Sequence, residues 1–411
     1  MIPRDRRVID ALLPRPWPLR RMACGTLVSA VGNGAWFTTW AVFLTRSVGL
    51  SPAQVGVGMT IAAVLGALLT PVFGWLGDRA GARETFAAQL MAQGAVGLAF
   101  LAVHGMASFI VVAALSQIAA SGTGGPRNAL ALGLSEPARK LEVLSRLRAI
   151  SHIGWALGAL LGGAVITVDA RPVYVALLVL NAGTYFVYAA LVRSGPGVPT
   201  PVGGGRRRRL RVVRDVPYMS LAGMTGTLAL CWAMLSSGLP LWVALHTRAP
   251  QALSAVVVVV SSLGIAAFQT RVSRGVTMPV RAARAALGSG LALAGACLLL
   301  ALTAGLGGLP AIALILSAAA LHLTGELLFV ASSWGLSVPL MPPDAPSEYQ
   351  GAFATGESLA LMLAPALMTT LVADWGRPGW VVLALIFLIP ALAITPATKW
   401  ALRTRPASPL A

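Results

Sequence analysis

The sequence predicts an all-α integral membrane protein, a bundle of twelve transmembrane helices. Three observations lead to this fold class. Of the 411 residues, 57% are hydrophobic and only 11% are charged, whereas roughly a quarter of the residues are charged in a typical soluble domain. The mean hydropathy is +0.79. Long uncharged stretches also recur along the whole chain.

Each of these stretches has the length of about 20 residues that an α-helix needs to cross about 30 Å of hydrocarbon. Membrane-spanning strands are excluded, because the stretches show no apolar/polar alternation and are about twice as long as a tilted strand requires. The predicted spans, numbered one to twelve, cover residues 22–45, 52–75, 84–104, 107–131, 149–168, 172–193, 218–245, 252–271, 284–304, 309–338, 351–373 and 378–399.

The formal charge of +18 is concentrated in alternate loops. Five of the 31 lysine and arginine residues lie outside the loops predicted to be cytoplasmic: Arg46, Arg171, Arg248 and Arg377 in outer loops, and Arg127 within or at the end of span four. This asymmetry is the positive-inside rule, and it predicts that both termini are cytoplasmic. It also accounts for the charge without a nucleic-acid partner, which we do not expect.

The cysteines lie singly within spans, at Cys24, Cys231 and Cys297, so neither a disulfide framework nor a metal site is predicted. Only two of the 31 basic residues are lysine and alanine is abundant, which is typical of a high-GC bacterial gene. We therefore expect a multi-pass protein of the bacterial cytoplasmic membrane.

An internal repeat divides the chain into two parallel halves. TWAVFLTR at 39–46 and LWVALHTR at 241–248 share Trp, Thr and Arg at a constant offset of 202 residues. The predicted organisation is an N-terminal six-helix half at 1–193, a Gly/Pro/Arg-rich cytoplasmic linker at 194–217 and a C-terminal six-helix half at 218–411. The run Arg206–Arg209 in this linker is interpreted as part of the topology signal.

The loop between spans two and three reads GWLGDRAGAR, in which Gly74, Asp78, Arg79, Gly81 and Arg83 follow the order Gly-x-Leu-small-Asp-Arg-x-Gly-x-basic. With six plus six spans, this motif resembles the signature of the major facilitator superfamily. The resemblance implies two six-helix bundles around a central substrate cavity, and a conformational latch formed by this loop against the second half. The glycines permit close helix approach, and an aspartate accepts N–H groups at a helix N-terminus. The alternative is a solvated turn that carries ordinary inside charges.

Span five contains GWALGALLGG, where Gly154, Gly158 and Gly162 recur every four residues. Glycines at this spacing let helices pack backbone to backbone. The string is similar to a glycine repeat associated with exporters of the superfamily, except that Ala159 stands where proline is usual. An exporter lineage is therefore favoured.

Two acids lie deep within spans, Glu326 in span ten and Glu357 in span eleven. An ionisable group at bilayer depth costs about 2.5–3.5 kcal/mol on insertion scales and therefore indicates a function. His322 and Phe329 share one helical face with Glu326. Glu326, His322 and Glu357 are the candidates for proton coupling. For Glu326, a substrate contact and a structural hydrogen bond remain alternatives.

The candidate residues of the substrate cavity are polar or aromatic side chains on spans one, four, seven and ten: Asn33, Trp36, Arg127, Trp232, Ser236 and Phe329. Such mixed walls suit an amphipathic organic solute better than a small anion. The resemblance implies a functional arginine near Arg127 in drug exporters. A snorkelling arginine at the end of the span is the alternative reading.

The phosphate-binding loop of an ATP-driven pump and the H-E-x-x-H motif of a zinc protease are both absent from the sequence, so no enzyme is predicted. We expect a proton-coupled secondary transporter that exports a small amphipathic or hydrophobic compound, such as a drug or secondary metabolite. Its expected partners are the substrate, protons and the lipid bilayer, with no cofactor or metal, and the protein is expected to act as a monomer. Two alternatives are a proton symporter that imports a nutrient and a transport-inactive receptor or scaffold.

Overall fold

A computed structural model describes residues 17–198 and 211–404. In this part of the chain the regular elements are helices, with a single isolated β-bridge between Arg248 and Gly307. The predicted all-helical class is therefore confirmed for the described residues. Both ends of the chain, the run Arg206–Arg209 and half of the predicted linker lie outside them.

The α-helices are labelled in chain order. Those of the first half are α1 Trp17–Val42, α2 Pro52–Ala80, α3 Ala82–Ala99, α4 Met106–Ser121, α5 Gly124–Gly133, α6 Lys140–Val168 and α7 Arg171–Arg193. Those of the second half are α8 Val216–Leu228, α9 Leu230–Ala233, α10 Leu239–His246, α11 Ala252–Arg274, α12 Pro279–Leu302, α13 Gly308–Leu340, α14 Pro346–Leu367 and α15 Arg377–Arg403.

Ten helical segments among the described residues are long and apolar enough to cross a membrane, and they correspond to predicted spans three to twelve. They are Ala82–Ala102, Met106–Gly133, Pro137–Val168, Arg171–Arg193, Val216–His246, Ala252–Arg274, Pro279–Leu302, Gly308–Leu340, Pro346–Asp374 and Arg377–Arg403. Predicted spans one and two are the helices α1 and α2, which have 26 and 29 residues. The total of twelve spans and the side of the termini stay predictions.

Several helix starts are encoded locally. Ser51 and Gln54 form a reciprocal capping box at the start of α2, and the Asp215 side chain accepts the N–H of Tyr218 at the start of α8. Such caps satisfy N–H groups that have no partner within the helix. At the other end of α2, Gly81 has a φ of +95°, a backbone conformation that glycine tolerates, and the chain turns there into α3.

The chain forms two compact units. The first contains the described residues up to 198 together with Pro342–Gly351, and the second contains Arg211–Met341 and the described residues from Ala352 onward. In the first unit, α1 packs against α6 and α7, α2 packs against α4, and α3 packs against α7. In the second unit, α12 packs against α13 and α15, α8 packs against α15, and α11 packs against α13.

Three helical segments widen locally into π-helical turns, at Phe43–Ser47, Met234–Gly238 and Met368–Asp374. The second of these lies between α9 and α10, so predicted span seven is irregular in its middle. π-helical turns inside helices are frequent at functional sites. This one follows directly after Trp232, a predicted cavity residue.

Candidate functional site

The carboxylate of Asp78, at the end of α2, binds the start of α14. Its Oδ1 accepts the backbone N–H of Ser347 at 2.7 Å, and its Oδ2 accepts the backbone N–H of Glu348 at 2.7 Å. Both donors belong to the first turn of α14, where N–H groups have no acceptor within the helix. The contact is therefore a carboxylate cap on a helix N-terminus, formed within the first unit.

Small residues on α2 bring its backbone close enough for this contact. A Cβ added to Gly74 would lie 2.7 Å from the carbonyl oxygen of Ser347, and one added to Gly77 would lie 3.0 Å from the Ser347 side chain. Gly125 of α5 is equally restricted, because its Cβ would lie 2.6 Å from the same carbonyl oxygen. Any side chain at these positions would displace the first turn of α14.

Burial raises the pKa of the Asp78 carboxyl from 3.8 to about 6. The backbone hydrogen bonds from Glu348 and Ser347 favour the charged form and oppose this rise, while the nearby Glu348 carboxyl adds to it. The desolvation of the carboxyl outweighs its hydrogen bonds, so Asp78 titrates close to neutral pH.

The two arginines of the predicted latch make different contacts. The guanidinium of Arg79 lies 5.5 Å from the ring centroid of Trp75. Arg83 binds the carboxylate of Glu84 and donates from Nη1 to the carbonyl oxygen of Gly195 at 2.8 Å. Among the predicted latch residues, Gly74 and Asp78 are thus the ones whose contacts here reach the start of α14.

Sequence reasoning missed the partners of Asp78. Ser347, Glu348 and Gln350 are all buried, and Gln350 Oε1 accepts from the Asn128 side chain at 3.4 Å. The available signal was local, because Pro346 followed by an acid in the first turn is typical of a helix start. No pattern in the sequence indicated that this helix start would meet Asp78.

The proton-coupling candidates of span ten lie in the second unit, where α13 meets predicted span seven. Glu326 is 2% exposed, and its Oε1 accepts the indole N–H of Trp232 at 2.9 Å. His322, one turn earlier on α13, bonds through Nε2 to the carbonyl oxygen of Cys231 at 2.8 Å. The Phe329 ring packs on Trp232 with 5.5 Å between centroids. Trp232 of predicted span seven therefore lies against the face of α13 that was predicted to carry His322, Glu326 and Phe329 together.

Two further candidates of the second unit lie apart from these contacts. Glu357 of α14 accepts from the Ser333 hydroxyl at 3.4 Å, and Ser333 continues the polar face of α13. Ser236 is exposed and lies in the π-helical turn Met234–Gly238.

The candidates of the first unit lie on α1 and α5. Asn33 accepts a hydrogen bond from the Tyr185 hydroxyl. Trp36 packs against Phe43 and Phe100, with 5.8 Å between ring centroids in each case. Arg127 is half-buried on α5. Asn33 and Trp36 are therefore held by neighbours within their own unit.

The glycines of span five lie against α1. A Cβ added to Gly154 would lie 2.6 Å from Ala30 Cβ, and one added to Gly158 would lie 2.1 Å from the carbonyl oxygen of Val31. At Gly162 the nearest atom would be the carbonyl oxygen of Ala35, at 2.7 Å. The two helices approach so closely along this face that it accepts no side chain.

Among the described residues, no group of three or more His, Cys, Asp or Glu side chains is placed to hold a metal ion.

Comparison with known proteins identifies the family and the fold. The family model described as Major Facilitator Superfamily matches residues 22–365. Comparison with curated proteins gives no match. A bacterial homologue of the iron transporter ferroportin in its outward-facing state aligns with a TM-score of 0.76 and 15% identity, over 94% of this chain and all of the other. The human organic anion transporter MFSD10 (TETRAN) aligns with a TM-score of 0.62 and 15% identity, over 96% of this chain and all of the other. At this identity the structural likeness concerns the fold alone.

Proposed function

The chain belongs to the major facilitator superfamily, and we propose that it is a secondary active transporter for a small amphipathic or hydrophobic organic compound. It works by alternating access and exports the compound in exchange for protons. It resides in the bacterial cytoplasmic membrane, with twelve spans, two six-helix halves and cytoplasmic termini. Membership of the superfamily indicates secondary transport. The proton coupling, the direction of transport and the class of substrate are inferred from residues of the two units.

The observation that carries the proton coupling is the buried Glu326. A carboxylate inside a membrane protein is costly unless it is neutral or well bonded. The Trp232 indole donates a hydrogen bond to the Glu326 carboxylate at 2.9 Å. The carboxyl that we propose as proton carrier is therefore in direct contact with predicted span seven, and a movement of that span would change its surroundings.

His322 supports the same role. Its Nε2 bonds to a carbonyl oxygen, so Nε2 carries the hydrogen and Nδ1 is left as a proton acceptor. Nδ1 is buried and has no hydrogen-bond partner among the described residues. The imidazole therefore offers a second proton site one turn from Glu326.

The contact at Asp78 supports alternating access. A cap formed by one side chain on the start of another helix exists in one arrangement of the helices and is lost in another. The exporter lineage is inferred from the sequence resemblance of the glycine repeat at Gly154, Gly158 and Gly162, whose residues pack against α1.

The aromatic rings of Trp232 and Phe329 support an organic substrate. Their packed faces suit the apolar body of an amphipathic compound, and polar neighbours suit its head group. One structural neighbour is described as a bacterial homologue of an iron transporter, and another as an organic anion transporter. Both chemical classes therefore belong in the compound panel of the experiment.

The test uses the full chain in proteoliposomes that contain a pH-sensitive dye. A panel of organic cations, organic anions, neutral amphiphiles and Fe²⁺ is added outside, and proton flux and uptake are followed. We expect an amphipathic organic compound to trigger proton movement in the direction opposite to its own. Movement in the same direction would instead identify a symporter, and no flux with any compound in protein that binds one would identify a receptor.

The variant Glu326→Gln separates coupling from binding. Glutamine keeps the shape and accepts the indole hydrogen bond but cannot cycle a proton. We expect loss of gradient-driven transport with retained substrate counterflow. The control Glu136→Gln removes an exposed acid paired with Arg139 and leaves both activities intact. Full gradient-driven transport in Glu326→Gln would exclude this residue as the carrier and redirect the search to Glu357. Loss of binding restricted to cations would assign Glu326 to the substrate instead.

A further inference from the structure

Predicted span four is interrupted in its second half. The helix α4 ends at Ser121, the chain turns at Gly122 and Thr123, and α5 begins at Gly124. The Thr123 side chain does not cap α5, because its hydroxyl donates to the carbonyl oxygen of Ala120 at 2.7 Å. A ten-residue helix in the first unit therefore begins without a side-chain cap. Pro126 has no N–H and the N–H of Arg127 bonds to the Thr123 carbonyl oxygen. The partial positive charge therefore lies on the N–H groups of Gly124 and Gly125.

A buried amide lies against this break. Gln89 of α3 is 5% exposed, and neither its Nε2 nor its Oε1 has a hydrogen-bond partner among the described residues. A Cβ added to Gly122 would lie 2.4 Å from Gln89 Nε2, so the amide is directed at the turn between α4 and α5. Buried polar side chains are nearly always hydrogen-bonded, and each exception requires a physical reason.

A positive charge lies one turn further along α5. Arg127 is half-buried, and within the described part of the chain no carboxylate lies within ion-pair distance of its guanidinium. Its Nε is buried and has no hydrogen-bond partner there, and its one bond, from Nη2 to Asn128, is long at 3.5 Å. Helical side chains lean toward the N-terminus of their helix, which directs Arg127 back toward the break.

These three features all offer hydrogen-bond donors or positive charge. An uncapped helix N-terminus, an unused amide donor and an unpaired guanidinium all favour a negative charge, and broken transmembrane helices elsewhere direct their N-termini at anionic substrate groups. A partly buried cation without a counter-charge is costly, and a bound anion would offset that cost.

We propose that the break between α4 and α5 binds an oxyanion, the carboxylate, sulfonate or phosphate head group of an amphipathic substrate. The inference rests on the proposed function and narrows its substrate class to organic anions. Arg127 supplies the charge and Gln89 supplies a neutral donor. The sequence allowed Arg127 either a cavity role or a snorkelling role, and the buried Nε together with the unpartnered Gln89 favours the first.

The binding test uses a matched pair of probes, dansylglycine and its methyl ester, which differ in the carboxylate charge. The full-length protein is placed in phosphatidylcholine nanodiscs, and energy transfer from tryptophan to the dansyl group reports binding, with empty nanodiscs as background. We expect the acid to bind the wild-type protein at least tenfold more tightly than the ester. Equal affinity for the two probes would overturn the proposal.

Variants assign the preference to the site. Arg127→Gln should abolish the preference, so that the acid and the ester bind with similar affinity. Arg127→Lys should retain part of the preference, and Gln89→Leu should weaken acid binding severalfold. The control Arg139→Gln removes an exposed arginine of the same unit and should bind both probes as the wild type does. Wild-type affinity for the acid in Arg127→Gln would overturn the proposal. If Arg127→Gln is not monodisperse, the proposal is overturned when Arg127→Lys and Gln89→Leu both bind the acid with wild-type affinity.

Two further measurements distinguish a lipid head group from a soluble substrate, and distinguish the anion site from the proposed transport function. Loss of acid binding when phosphatidylglycerol is added to the nanodiscs assigns the site to a lipid head group and overturns the substrate assignment, whereas unchanged binding supports a soluble substrate. If compounds drive a proton flux that depends on Glu326 but the acid probe is not preferred over the ester, the proposed function stands and the anion site is rejected. If the acid probe is preferred but no compound drives a proton flux, the anion site stands and the proposed function is rejected.

Discussion

Removal of the Asp78 carboxylate should release the start of α14. In Asp78→Ala the N–H groups of Ser347 and Glu348 lose their acceptor, although Ser347 is fully buried and Glu348 nearly so. A buried donor left without a partner costs about 1–3 kcal/mol. The two together cost about 2–6 kcal/mol, and the lower end of this range is about a thirtyfold change in an equilibrium.

Hydrogen–deuterium exchange of the peptide that contains the first turn of α14 measures this change. We expect exchange at Ser347 and Glu348 to be at least about thirtyfold faster in Asp78→Ala than in the wild-type protein. The control Glu136→Ala removes an exposed acid of the same unit and should leave this exchange unchanged. Equal protection in wild type and Asp78→Ala at equal expression would refute the capping role.

The same contact should depend on pH. The pKa of Asp78 is raised from 3.8 to about 6 in the contact, which corresponds to about 3 kcal/mol. The reference is a state in which the Asp78 carboxyl is in water and has its ordinary pKa. Relative to that state, the raised pKa makes the contact most stable at low pH, and this stability is lost as the pH rises from about 4 through about 6.

Protection of the α14 start, corrected for the intrinsic pH dependence of exchange, should therefore fall between pH 4 and pH 6 and stay constant above. Asp78→Asn cannot titrate, so its protection of the α14 start should show no such pH dependence. If the protection measured in Asp78→Asn also falls between pH 4 and pH 6, a group other than Asp78 titrates in this range.

Three other outcomes are expected. Gly158→Ala should lower the midpoint of thermal unfolding, because its Cβ would lie 2.1 Å from the Val31 carbonyl oxygen and overpacking of this kind costs about 1–3 kcal/mol. The control Gly163→Ala on the same helix places its Cβ within 4 Å of no atom and should leave the midpoint unchanged, and equal midpoints for the two variants would refute the packing role. His322→Gln should shift the pH optimum of gradient-driven transport without abolishing transport, and an unchanged pH profile would remove His322 from the proton route. A reporter fused after Ala411 should report a cytoplasmic C-terminus, and a periplasmic signal would overturn the topology.

Hydropathy predicted most of the helical framework. Span ten was predicted at 309–338 and the helix is Gly308–Leu340, and span eight was predicted at 252–271 and the helix is Ala252–Arg274. These boundaries follow from the length of apolar chain that a membrane requires. The π-helical turn Met234–Gly238 was not predicted, because its hydrogen bonds depend on side-chain packing against other helices rather than on residue spacing.

The candidate site was predictable as a set of residues but not as a set of contacts. Asp78 was selected by its motif, and Glu326 and Trp232 by their types and positions. The bond from Trp232 to Glu326 spans 94 residues and the bond from Ser347 to Asp78 spans 269. Helical periodicity relates residues only one or two turns apart, so it carries no information on either pair.

Asp78 and Glu326 illustrate how the donor to a carboxylate determines what that carboxylate can do. The donors to Asp78 are backbone N–H groups at a helix start, which cannot leave unless the helix itself moves. A donor to Glu326 is the side chain of Trp232, and a side chain can change its rotamer without a movement of the helix that carries it. Loss of the Asp78 contact is therefore tied to a movement of α14, as a gate requires, whereas the Glu326 contact can change within one arrangement of the helices. Counterflow, which needs the rearrangement but no net proton movement, should accordingly be impaired by Asp78→Ala and preserved in Glu326→Gln, and the opposite pattern would reverse the two assignments.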